Sequence, residues 1–191
     1  MVKKMQKRII KEEYVIVLDF LPNGHPFDQR PSHLKTPIAQ AIGKDHFILL
    51  ELVPKKGIFL QPLEEVYTGE GKRDKIHHIY GKVNYDKLTQ TGKNELEHVI
   101  KDLIKNHEPR FIEFFNKAGP INMRRHQVEL LPGIGKKHML ELLERREEKE
   151  FESFEDIRSR VNLLPDPEKI IARRIISELK GEDKYRIFVE G

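Results

Sequence analysis

The spacing of apolar residues changes period near Thr91. Before that point the apolar runs are short and rich in β-branched and aromatic residues, with turn-forming residues between them, which is the pattern of strands. Residues 12–21 predict the first strand, closed by Pro22. Residues 37–42 predict a short second strand ending at Gly43, and residues 46–53 a third. Short extended pieces broken by Pro62 follow over 58–67. Residues 76–85 predict another strand, with Gly81 as a bulge or bend. Two connections stand out. Residues 22–37 hold four prolines and are long for a loop in a compact domain, and loops of that length are often functional. Thr68 to Lys75 reads as an exposed basic hairpin loop.

After Thr91 the period becomes helical. Residues 92–106 place Leu96, Val99, Ile100, Leu103 and Ile104 on one face. A second helix over 109–117 carries Phe111, Ile112, Phe114 and Phe115 and stops at Gly119-Pro120. Met123, Val128 and Leu131 stand at helical spacing among polar residues, as do Met139, Leu140, Leu142 and Leu143 up to Glu148. Asp166 and Pro167 form a helix start, N-cap and first helical position, for a helix to Leu179 that Gly181 ends. Residues 185–189 read as a last strand that returns to the sheet. The predicted class is α+β. A small N-terminal OB- or S1-like β-barrel over 12–90 follows a basic arm at 1–11. A helical connector spans 91–120, an all-α domain 121–181, and a C-terminal strand 182–191.

Between two of the expected helices lies Leu130-Leu131-Pro132-Gly133-Ile134-Gly135-Lys136-Lys137. Pro132 bars the preceding residue from helical geometry, and Gly133 and Gly135 permit positive φ or close backbone approach. Ile134 can plug the gap between the helices. The next helix starts at about Gly135 or Lys136, and its first N–H groups lack intrahelical partners. Those groups, the positive helix end and two lysines suit a phosphate oxygen. A second copy appears when Leu131–Lys136 is set above Leu164–Lys169, with Leu, Pro and Lys matching, Val128 over Val161 and Met139 over Ala172. That copy has Asp166 and Glu168 where the first has glycines, so a structural role is expected of it. Ile157, Val161, Leu163, Ile170, Ile171, Ile175, Ile176 and Leu179 are its expected core.

The stretch resembles the hairpin of the helix-hairpin-helix family. The resemblance implies backbone contact with nucleic acid, without sequence readout, through Gly133, Ile134, Gly135, Lys136 and Lys137. One departure is Met139, where the family pattern has a small residue. Two such units in tandem would form the all-α domain.

The net charge of +4 permits a polyanionic partner without requiring one, but its distribution is informative. Residues 1–120 carry 20 Lys+Arg against 16 Asp+Glu, while 121–191 carry 15 of each. The candidate barrel contacts to a single strand are accordingly Arg30, Lys35, Lys55, Lys56, Lys72, Arg73 and Lys75, with Tyr67 or Tyr80 as stacking platforms. Cysteine is absent, which excludes disulfides, cysteine zinc sites and thiol nucleophiles. No apolar run approaches the length of a membrane span, and no signal-type region follows the basic start, so a cytoplasmic protein is expected.

The whole order of arm, barrel, two helices, paired hairpin unit and terminal strand resembles an archaeal family called domain of unknown function 655. That resemblance implies nucleic-acid binding, RNA more than DNA. Walker, nucleophile-elbow and dinucleotide motifs are missing. His77 and His78, adjacent on an expected strand, should face opposite ways and not chelate together. The sequence therefore calls for a non-enzymatic nucleic-acid-binding protein with no cofactor, no metal and no membrane. Its alternative is a protein–protein scaffold using apolar surface around Phe151 and Phe154. Oligomeric state is left open.

Overall fold

The computed structural model describes residues 10–190. Lys3, Lys4, Lys7 and Arg8 of the expected basic arm lie outside them. Lys11 is described, and its Nζ sits 2.6 Å from Glu70 Oε1. The chain divides into two compact units. One runs to Glu95 and takes in the C-terminal residues from Phe188, and the other is Leu96–Ile187.

In the first unit, β1 (Tyr14–Leu21), β2 (Ile38–Gly43), β3 (Leu49–Pro54), β4 (Glu65–Tyr67) and β5 (Ile76–Lys82) form one antiparallel sheet. Its order is β4-β1-β2-β3-β5. The sheet curls into a half-barrel around Val15, Val17, Ala39, Ala41, Leu50, Leu52, Val66 and Ile76. Three bulges, at Leu18, His77 and Tyr80, supply the bending that a flat ladder would resist. Gly81 stands beside the last of these, at the position where a bend was expected.

Because β4 and β5 are the two edges, Thr68–Lys75 is not a hairpin loop. It crosses from one edge to the other, and Lys75 is met there by the Lys55 N–H at 2.8 Å and by the Glu64 carboxylate. A sequence read locally joins neighbouring strands, whereas the curl is what lets the loop join distant ones.

Every residue of β2 and β3 is buried, so these strands are covered on both faces. The long 22–37 loop and the segment after β5 contribute to the cover. Gln40 Nε2 donates to Lys87 O (3.1 Å) and Glu51 Oε1 (3.2 Å), its Oε1 accepts the Thr89 N–H (2.8 Å), and His25 Nε2 is 3.0 Å from Glu51. At the other end of the sheet, the buried Glu12 carboxylate accepts N–H bonds from Asp45 (3.1 Å), His46 (2.9 Å) and Ile48 (3.1 Å). Burial pushes its pKa up, against the pull of those three N–H groups. A Cβ at Gly43 would stand 1.8 Å from Glu12 Cδ, so the β2 end has no room for a side chain. The C-terminal segment does not form the expected strand. Phe188 and Val189 are buried and the Glu190 N–H reaches His46 O at 3.0 Å, which docks the segment without building a ladder.

The second unit holds the greater part of α1 (Gln90–Asn106), then α2 (Glu108–Lys117), α3 (Lys136–Glu148), α4 (Phe154–Arg160) and α5 (Pro167–Lys180). The predicted faces of α1 and α2 are buried: Leu96, Val99, Ile100, Leu103 and Ile104, then Phe111, Ile112 and Phe115. Residues 120–131 differ from expectation. A two-stranded ribbon, β6 (Pro120–Asn122) and β7 (Arg125–His126), and a single 3₁₀ turn at Gln127–Leu130 replace the predicted helix. The Asn122 side chain accepts the Arg124 N–H at 2.9 Å, and His126 with Glu129 caps the 3₁₀ turn. Such local bonds offer the backbone an alternative to a helix. No described helix is long and apolar enough to cross a membrane.

Arg174 and Glu178 are buried in this unit. Arg174 Nε donates to Glu178 (2.8 Å), its Nη1 to Leu130 O (3.0 Å) and Asp183 (2.8 Å), and its Nη2 to Tyr185 O. Glu178 in turn accepts the Ile187 N–H at 2.9 Å. One guanidinium thus ties α5 to the segment before the first turn and to the chain leaving the unit.

A candidate phosphate-binding groove

The turn at 131–135 sets the start of α3. The Ile134 N–H bonds to Leu131 O at 3.1 Å, and Gly133 takes φ 84°, in the left-handed region that costs other residues about 1–2 kcal/mol. Ile134 is buried, as expected of the residue between the helices. Gly135 is the N-cap and has no side chain to offer, and the first turn of α3 carries no acid. The helix start therefore keeps its unpartnered N–H groups and its positive end free of a neutralising group. Lys136 and Lys137 are the first two residues of that helix, exposed and without an ion-pair partner among the described residues.

The ribbon brings more charge to the same place. Arg124 and Arg125, both exposed and likewise without a carboxylate partner among the described residues, line a groove of about 600 Å³ together with Lys136, Met123, Met139 and Leu140. The groove's one acid, Glu129, accepts the His126 N–H at 2.8 Å. His126 Nδ1 accepts the Val128 N–H at 3.3 Å, which requires the neutral imidazole; burial and nearby Arg146 lower its pKa accordingly. Arg124 and Arg125 escaped the sequence reading because a helical period was assigned to a stretch whose apolar spacing a ribbon also meets.

The second turn is built on the same backbone plan but in another register. Leu163 takes φ 55° two residues after Val161, as Gly133 does two residues after Leu131, and the N-caps Gly135 and Asp166 follow. The two turns therefore match at an offset of 30, and the helix starts at 31. The sequence match at 33 aligned Leu-Pro pairs that are not equivalent. Leu163, expected in the core, is 89% exposed at the tip of the turn. Carboxylates occupy the helix start in this copy: Asp166 accepts the Glu168 N–H at 3.1 Å, and Arg158 pairs with Asp166 (3.1 Å) and Glu168. Burial pushes the Asp166 carboxyl up, but the Arg158 guanidinium and the helix-start N–H groups outweigh it and hold the pKa below the ordinary range. Pro165 Cγ lies 3.2 Å from where a Cβ on Gly133 would be, so the second turn backs the first.

That contact and the positive φ make Gly133→Val a specific test. The variant is expected to lose roughly 1–2 kcal/mol in urea unfolding and to bind anions more weakly at unchanged net charge. Wild-type stability would show that the turn does not depend on this conformation.

The structure ties four of the seven barrel candidates to partners on their own side. Arg30 grips Asp28 (Nη2 to Oδ2 2.7 Å), and that hydrogen-bonded guanidinium pushes the Asp28 pKa down to about 2. Lys55 Nζ donates to Arg73 O, Arg73 Nε donates to Gly69 O (2.8 Å), and Lys75 pairs with Glu64. Lys56 and Lys72 are exposed, and Lys35 is half-buried. The Tyr67 hydroxyl accepts the Gly71 N–H at 3.0 Å, and its ring meets Tyr14 edge-on at 5.2 Å. Tyr80 is 66% exposed. The bulge at His77 overturns the expected opposition of the two histidines, whose Nδ1 atoms lie 2.7 Å apart. Among the described residues no three His, Asp or Glu side chains gather in a metal-binding arrangement.

Comparison with known proteins matches residues 11–190 to a family model described as "Protein of unknown function (DUF655)". The chain is 44% identical over 181 residues to the uncharacterized protein MJ0038 of Methanocaldococcus jannaschii, covering 94% of this chain and 80% of that protein. It is also similar to the crystal structure of Af1531 from Archaeoglobus fulgidus. The TM-score is 0.85 at 45% identity, covering 94% of this chain and all of that one.

Proposed function

This chain belongs to the DUF655 family, and we propose that it is a non-enzymatic nucleic-acid-binding protein that grips the sugar–phosphate backbone without reading sequence. RNA is favoured over DNA, as the family resemblance implies. One observation carries the reading. Lys136 and Lys137 open a helix that has no capping side chain, Arg124 and Arg125 line one groove with Lys136, and none of the four has an ion-pair partner among the described residues. Backbone N–H groups at a helix start plus Lys and Arg are a phosphate-binding combination. The two turns, one open and one closed by Asp166, fit a pair of helix-hairpin-helix units in which only the glycine-bearing copy binds. The strand order β4-β1-β2-β3-β5 fits an OB-like barrel opened between β4 and β5.

The test is fluorescence anisotropy with a labelled oligonucleotide at several salt concentrations. Affinity falls with salt by a log–log slope of about 0.9 per neutralised phosphate on duplex and about 0.7 on single strands. Changing Lys136 and Lys137 together to Ala is expected to reduce that slope by roughly one to two units, with circular dichroism unchanged because both side chains are exposed. Binding equal to wild type at every salt would end the clamp reading. The scaffold alternative would then rest on exposed Met123 and Leu140, because Phe151 and Phe154 are buried and offer no surface.

A further inference from the structure

A second groove, on the barrel unit, has a different chemistry. It encloses about 570 Å³, and its lining includes Phe20, Phe59, His77, His78, Lys55 and Lys56 but no carboxylate. Phe59 is 71% exposed and is held edge-to-face by Phe20 at 6.0 Å, so one ring face is kept ready in a concave site. The bulge at His77 puts both imidazoles on the same wall with centroids 5.0 Å apart. Their Nδ1 atoms are engaged with each other, which leaves each Nε2 to meet a polar edge. Lys55 is spent on Arg73 O, whereas Lys56 is exposed at the lip.

We infer that this groove receives an unpaired base of a single-stranded nucleic acid, stacked on Phe59 with its phosphate toward Lys56. The inference rests on the nucleic-acid reading above and adds the state of the strand. A planar ring with polar edges that carries one negative charge per unit matches aromatic walls, two imidazoles and a cation without an acid. A duplex cannot use the site, since its bases are already stacked and paired. An apolar or acidic peptide would need neither the ring face nor the imidazole edges.

The experiment uses the full chain, with labelled oligouridylate, oligothymidylate and a duplex as probes, and follows anisotropy. Phe59→Ala is expected to weaken single-strand binding by about 5- to 150-fold, the range for loss of one base–aromatic stack. Duplex affinity should stay as in wild type, and Phe59→Tyr should retain single-strand affinity. Wild-type single-strand affinity in Phe59→Ala, or equal losses on single strand and duplex, would overturn the base-binding inference. If the Lys136/Lys137 double variant still loses affinity in that series, the backbone-binding function stands without it. A wild-type chain that binds none of the probes overturns both.

Discussion

Replacing Arg174 with methionine is expected to destabilise the protein by about 3–5 kcal/mol, the usual loss when one partner of a buried ion pair is removed. Glu178 is fully buried and would lose the guanidinium that donates to it at 2.8 Å. Leu130 O and Tyr185 O would lose a donor at the same time. Arg174→Lys keeps the charge but cannot span four acceptors with a planar fork, so it should recover only part of the loss. The measurement is the urea midpoint at unchanged m. A loss below about 1 kcal/mol would show that water replaces the network. Because Leu130 precedes the first turn, the methionine variant should also weaken nucleic-acid binding, although Arg174 itself lies away from the groove lining.

Glu12→Ala should cost roughly 2–4 kcal/mol, because three backbone N–H groups lose their acceptor and an unmet buried donor costs about 1–3 kcal/mol. Asp45 is exposed and can turn to water, which keeps the sum below the maximum. Glu12→Gln should lose markedly less. Oε1 alone serves His46 and Ile48, and a neutral amide escapes the burial that raises the carboxyl pKa. Equal losses in the two variants, read from thermal unfolding, would show that the acceptor is not what matters.

Both residues were silent in the sequence. Glu12 stands in a polar pair at the start of the first predicted strand, and Arg174 stands in a charged pair on a helix whose apolar stripe explains itself. Their importance comes from partners 33–36 residues away for Glu12 and 44 for Leu130. The basic loops showed their charge in the sequence but not their partners. Arg30, Lys55, Arg73 and Lys75 read as free cations, and each is held by a neighbour that the fold supplies.

By itself the sequence determined the features that depend on a few consecutive residues. The strands of the half-barrel sheet and the helices α1, α2, α3 and α5 follow from period. Asp166-Pro167 begins α5, and Gly181, at φ 75°, ends it. Gly133 is left-handed, Ile134 is buried and Gly135 begins α3, because turn chemistry is local. The tertiary structure decided which elements meet. It set the edges β4 and β5, the bulge that turns His77 beside His78, and the register of the two turns. It also made the ribbon that carries Arg124 and Arg125 to the start of α3. The physical reason is that a period of two or 3.6 residues tells which face of an element is buried. Curl, bulge and ribbon depend on long-range packing and hydrogen bonds that no short stretch encodes.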